Sequence, residues 1–80
     1  MAATTVKSPF PGTFYRRPNP DADSYVSEGD EVEPGDIIGL VEIMKNFYEV
    51  RVEEKGIIDR FLVGNQETVE VGQDIVVLAG

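Results

Sequence analysis

The chain has 80 residues, a net charge of −8, and neither cysteine nor histidine. Without cysteine it can form no disulfide and no thiolate-bound metal site, and without histidine it lacks the commonest general base near neutral pH. The negative charge would repel phosphate backbones, which argues against a nucleic-acid partner. No apolar run is long enough to cross a bilayer, so no membrane partner is expected. The length predicts a single domain with a modest core.

The N-terminal part of the chain predicts a short tail and, further along, a stiff excursion. Residues 1–5 are expected to form a disordered tail and residues 6–80 to form the domain. The excursion is the stretch "RRPNPDADS" at 16–24. Its two prolines, Pro18 and Pro20, have a fixed φ and push the residues before them toward extended conformations.

The middle of the chain predicts two strands, "IIGLVEI" at 37–43 and "FYEVRVE" at 47–53. In the second, Tyr48, Val50 and Val52 alternate with charged residues, which predicts one apolar face and one charged face. Further strands are expected in "GIIDRFLV" and "DIVVLAG". No segment shows helical spacing, so the predicted fold class is all-β.

The chain reversal between residues 43 and 47 contains neither Gly nor Pro. If Met44 and Lys45 occupy the two central positions of a hairpin turn, both need a positive φ, which costs about 1–3 kcal/mol for each residue. A wider loop through Asn46 would avoid that strain. The sequence leaves both geometries open.

An internal repeat organises the predicted strands. "EVEPGDII" at 31–38 matches "TVEVGQDI" at 68–75, an offset of 37 (68 minus 31). "PFPGTF" at 9–14 matches "EEKGII" at 53–58, an offset of 44 (53 minus 9). Two similar halves of about four strands each predict a β-sandwich with quasi-twofold symmetry. The difference of 7 residues between the offsets indicates an insertion in the first half, at 16–24.

Lys45 is the candidate functional residue because it lies at the tip of a hairpin and between the two repeats. A catalytic lysine must be kept neutral by burial or by cationic neighbours, and a tip flanked by Glu42 and Glu49 supplies neither. An exposed, unhindered amine suits modification by another enzyme. The sequence therefore indicates that Lys45 is there to be acylated.

The stretch "EIMKN" at 42–46 resembles the biotin-attachment sequence of biotinyl (biotin/lipoyl attachment) domains, usually Glu-Ala-Met-Lys-Met. The upstream stretch "SPFPGTFYRRPNPDADSYVSEGDEVEPGD" is similar to the biotin carboxyl carrier proteins of acetyl-CoA carboxylase. The resemblance covers roughly residues 6–79. Two positions depart from the family pattern: Ile43 replaces Ala, and Asn46 replaces the second Met.

The resemblance implies a flattened barrel or sandwich of two four-stranded antiparallel sheets, with the segment 16–24 as a thumb-like insertion. It implies biotin bound covalently to Lys45, flanked by Glu42, Met44 and Asn46. The thumb residues implied to lie near the biotin are Arg17, Pro18, Asn19 and Pro20. No metal site is implied.

The resemblance also implies a carrier without catalytic activity of its own. A biotin protein ligase attaches biotin to Lys45, and the swinging arm then carries carboxybiotin between biotin carboxylase and carboxyltransferase. The product is malonyl-CoA for fatty-acid biosynthesis. The implied location is the cytoplasm or the plastid stroma.

Four alternatives remain open. One is the biotinyl domain of another carboxylase, and a second is a lipoyl carrier domain, although that family typically has Asp-Lys-Ala at the hairpin and would leave the insertion unexplained. A third is a small β-sandwich interaction module whose lysine is unmodified. An enzyme using Glu49 and Glu53 is the fourth, but these carboxylates fit a solvated strand face better.

Overall fold

The computed structural model describes residues 4–80 and folds them into eight strands. One antiparallel sheet has the strand order β1-β8-β6-β3 and the other the order β5-β4-β2-β7. This confirms the predicted sandwich of two four-stranded sheets. The strands are β1 (Thr4–Lys7), β2 (Gly12–Tyr15), β3 (Glu31–Val32), β4 (Ile37–Ile43), β5 (Asn46–Arg51), β6 (Gly56–Phe61), β7 (Glu67–Val69) and β8 (Asp74–Ala79).

The ordered domain begins earlier than expected. Residues 1–3 of the expected tail lie outside the described residues, but Thr4 and Thr5 lie in β1, opposite Leu78 and Val77 of β8. β-Branched threonines suit an edge strand, and β8 offers them a free row of backbone groups. Thr4 and Thr5, which were expected in the disordered tail, therefore belong to β1.

The predicted quasi-twofold symmetry is confirmed by the hydrogen bonds of the loops. The amide of Gly29 donates to the carbonyl of Ile58 at 2.7 Å, and the amide of Gln66 donates to the carbonyl of Phe14 at 2.6 Å. Adding 37 to Gly29 gives Gln66, and subtracting 44 from Ile58 gives Phe14. Residues related by the two sequence offsets therefore make equivalent hydrogen bonds in the structure.

Backbone conformation follows the same symmetry. Gly35 and Gly72, which are 37 residues apart, have φ values of 95° and 82°. Gly29 has a φ of 96°, and its counterpart Gln66 adopts 68° although it carries a side chain. The second half of the repeat thus keeps the positive φ at this turn, although Gln66 stands where the first half has glycine.

The symmetry relates the β4–β5 hairpin to the pair formed by β8 and β1. Ile37 lies opposite Arg51 in the hairpin, and their counterparts Asp74 and Lys7 lie opposite each other in the second pair. A turn joins β4 to β5, whereas the counterpart of that turn is the place where β8 ends and β1 begins.

The hairpin turn lies at one pole of the sandwich, and Thr4 and the end of β8 lie at the opposite pole. Phe10, just beyond β1, packs on Tyr48 near the turn, with ring centroids 4.8 Å apart. Thr4, at the other end of β1, shares a groove with Glu53 and Glu54. β1 and β5 therefore run in opposite directions, and Thr4 lies far from the turn.

The core lies between the sheets and draws on both halves. Its fully buried members include symmetry-related pairs, such as Ile38 with Ile75 and Val32 with Val69. Burying one such side chain stabilises the fold by about 1.5–3 kcal/mol. Phe14 of β2 is the largest of them and packs against β4.

We predict that Gly39→Ala destabilises the domain by about 1–3 kcal/mol, because a Cβ at Gly39 overpacks the core. The added atom would lie 2.5 Å from Cε1 of Phe14 and 2.7 Å from the carbonyl of Tyr15. Urea denaturation measures the loss. Gly64→Ala is the matched control, since its Cβ would lie 3.5 Å from Oε1 of Glu67, an ordinary contact. Equal stabilities for the two variants would contradict the prediction.

Candidate functional site

The β4–β5 hairpin turns through two residues only. Ile43 and Asn46 form the last cross-strand pair, and Met44 and Lys45 have φ values of 50° and 70°. Positive φ at both central positions is the geometry of a type I′ turn, which usually selects Asn-Gly. Of the two geometries left open by the sequence, the strained one is present. Asn46 belongs to β5 and not to a widened loop.

The tip of the turn stands clear of the rest of the domain. Met44 is 88% exposed, and Lys45 and Asn46 are also exposed. The ion pairs found within residues 4–80 involve Lys7, Arg51 and Arg60, but not Lys45. Lys45 is therefore exposed and lies outside the ion pairs of the described residues.

Glu42 faces away from the core and is held by Tyr15. The Tyr15 hydroxyl donates to Oε1 of Glu42 at 2.8 Å. This hydrogen bond, with partial burial and the charge of the carboxylate, raises the pKa of Tyr15 above its usual range. Glu42 thus ties β4 to β2 behind the tip, which makes it a support of the hairpin.

Two exposed aromatic side chains next to the tip were missed by sequence reasoning. Phe47 is 54% exposed and Tyr48 is 40% exposed. Alternation placed Tyr48 on one apolar face with Val50 and Val52; the two valines are buried, whereas Tyr48 is exposed. Tyr48 lies opposite Val41, on the core side of the sheet, but closer to the tip than either valine. The pattern of alternation gives the face of a residue and not its distance from the end of the sandwich.

The segment 16–24, the excursion predicted from the sequence, is a loop that contains no strand. Its base is closed by the amide of Tyr25, which donates to the carbonyl of Arg16 at 2.9 Å. Inside, Asn19 accepts from the amide of Ala22 through its carbonyl and from the amide of Asp21 through its side chain. The excursion is therefore braced by its own turn as well as by its prolines.

The base of the excursion contacts Asn65, in the loop before β7, and Phe61 of β6. The amide of Arg16 donates to Oδ1 of Asn65 at 2.8 Å, and its guanidinium lies 3.9 Å from the centroid of the Phe61 ring. At the other end, burial and the charge of Glu49 raise the pKa of Tyr25. These contacts do not reach Lys45, so a role for Arg17, Pro18, Asn19 and Pro20 toward a cofactor stays a prediction.

Two kinds of feature are absent from the described part of the chain. Residues 4–80 contain no cluster of acidic side chains arranged to hold a metal ion. Over the same range, no helix is long and apolar enough to span a membrane.

Comparison with known families matches the "Biotin-requiring enzyme" family model to residues 4–78. The chain belongs to the biotin-requiring enzyme family. The match extends over nearly every described residue, including the hairpin and the excursion. The resemblance noted in the sequence is therefore confirmed at the level of the family.

Among curated members, the biotin carboxyl carrier protein of acetyl-CoA carboxylase from Haemophilus influenzae is 34% identical over 98% of this chain and 50% of its own length. The chloroplastic biotin carboxyl carrier protein of acetyl-CoA carboxylase 2 from Arabidopsis thaliana is 38% identical over 92% of this chain and 29% of its own. The chain thus spans half or less of the length of these two relatives.

A solved structure, the urea carboxylase of Kluyveromyces lactis, shares the fold. Its TM-score is 0.81 at 26% identity, covering 99% of this chain and 6% of that enzyme. The same fold therefore forms a small part of that much larger enzyme.

We predict that Met44→Gly stabilises the isolated domain by about 1 kcal/mol, because it relieves a left-handed φ that glycine adopts without strain. Asn46→Gly is the control, since Asn46 lies in β5 and glycine weakens a strand. Thermal or urea unfolding measures both. A loss of stability in Met44→Gly would argue against strain at the turn.

Proposed function

We propose that Lys45 is the residue to which biotin is covalently attached. The observation that carries this proposal is the position of Lys45 in a two-residue turn with positive φ, at the exposed tip of the β4–β5 hairpin. Placing lysine where Asn or Gly is preferred costs stability, and a function at that position explains the cost. Membership of the biotin-requiring enzyme family supports the same residue.

The chemistry of Lys45 suits an acceptor for a carboxyl group activated elsewhere. A primary amine forms an amide with such a carboxyl group, and the side chain is exposed and outside the ion pairs of the described residues. A biotin protein ligase would supply the base and the activation. Biotin, once attached, supplies the ability to hold and release a carboxyl group.

The domain then acts as a carrier without catalytic activity of its own. We infer that it serves biotin carboxylase and carboxyltransferase of an acetyl-CoA carboxylase and so contributes to malonyl-CoA and fatty-acid biosynthesis. The names of the curated relatives support this assignment. A tether raises the effective concentration of its end group at both active sites. The cytoplasm or the plastid stroma is the proposed location, in keeping with bacterial and chloroplastic relatives.

The neighbours of Lys45 have distinct proposed roles. Met44 and Asn46 flank the amine directly and would contact the ligase, whereas Glu42 braces the hairpin through Tyr15. A carrier domain of another carboxylase is the second candidate function, supported by the likeness to the urea carboxylase. Both candidates use the same attachment residue.

We predict that co-expression with a biotin protein ligase yields a species that streptavidin shifts, and that Lys45→Arg abolishes the shift. Arginine keeps the positive charge at an exposed position, so the fold should be unaffected. It lacks the primary amine, so the ligase cannot acylate it. Lys55→Arg, at another exposed lysine, is the matched control and should remain labelled. Biotin retained in Lys45→Arg would refute the assignment. Intact mass after expression with both biotin and lipoate identifies the acyl group and so tests the lipoyl alternative.

We further propose that the segment 16–24 contacts the biotin through Arg17, Pro18, Asn19 and Pro20. Its stiffness supports this role, since Asn19 braces the turn between the prolines and Ala22. Such a segment could cover the end of the arm without losing much conformational entropy.

Replacing residues 17–24 by Gly-Gly tests the segment without disturbing its base, because Tyr25 already bonds to Arg16 across the gap. We expect biotinylation to be largely unchanged and the rate of carboxyl transfer from the labelled domain to acetyl-CoA to change. Unchanged transfer kinetics would count against a contact between the segment and the biotin.

A further inference from the structure

The strongest feature without an assigned role is a pair of exposed aromatic side chains beside Lys45. Phe47 and Tyr48 follow the lysine by two and three residues and are 54% and 40% exposed. At about 3.3 Å per residue, both lie within roughly 7–10 Å of the turn. Aromatic side chains are enriched in protein–protein interfaces, so exposed rings on both sides of one turn are candidate contacts for a partner.

The two rings lie on opposite faces of the hairpin. Phe47 is paired with Glu42 across the strands and lies 5.9 Å from the ring of Tyr15, on the outer face of the sheet. Tyr48 is paired with Val41, which is fully buried, and so projects from the other face. We refer to these as the Phe47 face and the Tyr48 face.

Each ring is supported by a second aromatic side chain. Tyr15 supports Phe47 and is itself held by its hydrogen bond to Glu42. Phe10 supports Tyr48 with ring centroids 4.8 Å apart. Rings held in this way lose little conformational entropy on binding, which makes them suitable anchors for a partner.

The occupant that the position favours is the enzyme that acylates Lys45. That enzyme must reach the Nζ atom itself, whereas later active sites act on the far end of the attached arm. A protein interface of about 800 Å² on each partner corresponds to a radius of about 16 Å. Both rings therefore lie close enough to Lys45 for an enzyme that surrounds the tip to contact them.

We propose that the acylating enzyme receives the hairpin in a cleft, with one apolar wall against the Phe47 face and the other against the Tyr48 face. The net charge of −8 on this chain favours a cationic rim around that cleft. The inference rests on the proposed function and adds which residues select the partner. A flat docking surface would contact only one of the two faces.

The test compares the variants Phe47→Ser and Tyr48→Ser with wild type in a purified system of biotin protein ligase, ATP and biotin. We expect each variant to lower kcat/KM for the domain by about tenfold or more, as for other buried interface anchors. Ile57→Ser is the matched control, because Ile57 is 45% exposed in β6 of the other sheet. Thermal unfolding of each variant checks that the fold is retained.

Binding is measured separately from labelling with Lys45→Arg as a competitor, since it cannot be acylated. It should inhibit labelling of wild type, and adding either serine substitution should weaken that inhibition. Raising the ionic strength from about 0.01 to about 0.15 M shortens the screening length from about 30 to about 8 Å. We expect kcat/KM to fall with that change if the rim is cationic.

The outcomes separate the inference from the proposed function. Loss of labelling in only one serine variant, in neither, or equally in Ile57→Ser would overturn the two-walled cleft. An increase of kcat/KM with salt would overturn the cationic rim. Wild type that accepts no biotin at all would instead refute the attachment residue.

Discussion

The register between β4 and β5 is the constraint on which the site depends. Val41 and Val50 must both face the core, and their strands pair continuously from Gly39 to Asn46. That pairing leaves two residues for the reversal, and a two-residue turn in a twisted pair needs positive φ at both. Core packing therefore forces Met44 and Lys45 into a conformation that their side chains disfavour, and it points the lysine out of the sheet.

The duplicated architecture supports this register from both sides. Each half supplies equivalent buried residues and equivalent loop hydrogen bonds, so neither sheet can slip without breaking a set of contacts in the other. Because a slip of one residue would turn every core side chain outward, the hairpin is held rigidly up to its last pair. The result is a rigid base for the exposed side chain of Lys45.

Much of the fold could be predicted because the repeated residues are glycines, which mark turns, and branched apolar residues, which mark core positions. Gly35 and Gly72 mark equivalent turns, and the valines and isoleucines mark equivalent core positions. The exposed lysine at the reversal followed from the same pattern. Gln66 shows the limit, since nothing in its identity predicts the left-handed φ that its symmetry-related glycine adopts.

Other features depended on three-dimensional context. The choice between a two-residue turn and a wider loop required the cross-strand register, in which Ile43 pairs with Asn46. The exposure of Tyr48 depended on how far the opposite sheet extends, and the order of Thr4 and Thr5 depended on the free edge of β8. Tyr15 and Glu42 are 27 residues apart, so their contact is invisible to any local pattern.

Although the scaffold is quasi-symmetric, its two poles are not equivalent. The duplicated unit places two strand pairs in equivalent positions, β4 with β5 and β8 with β1. A turn joins β4 directly to β5, whereas within residues 4–80 no turn joins β8 to β1. Lys45, the proposed attachment residue, lies at the pole that carries the peptide turn. Thr4 and the end of β8 lie at the other pole, away from the tip that a partner would approach in the proposed function.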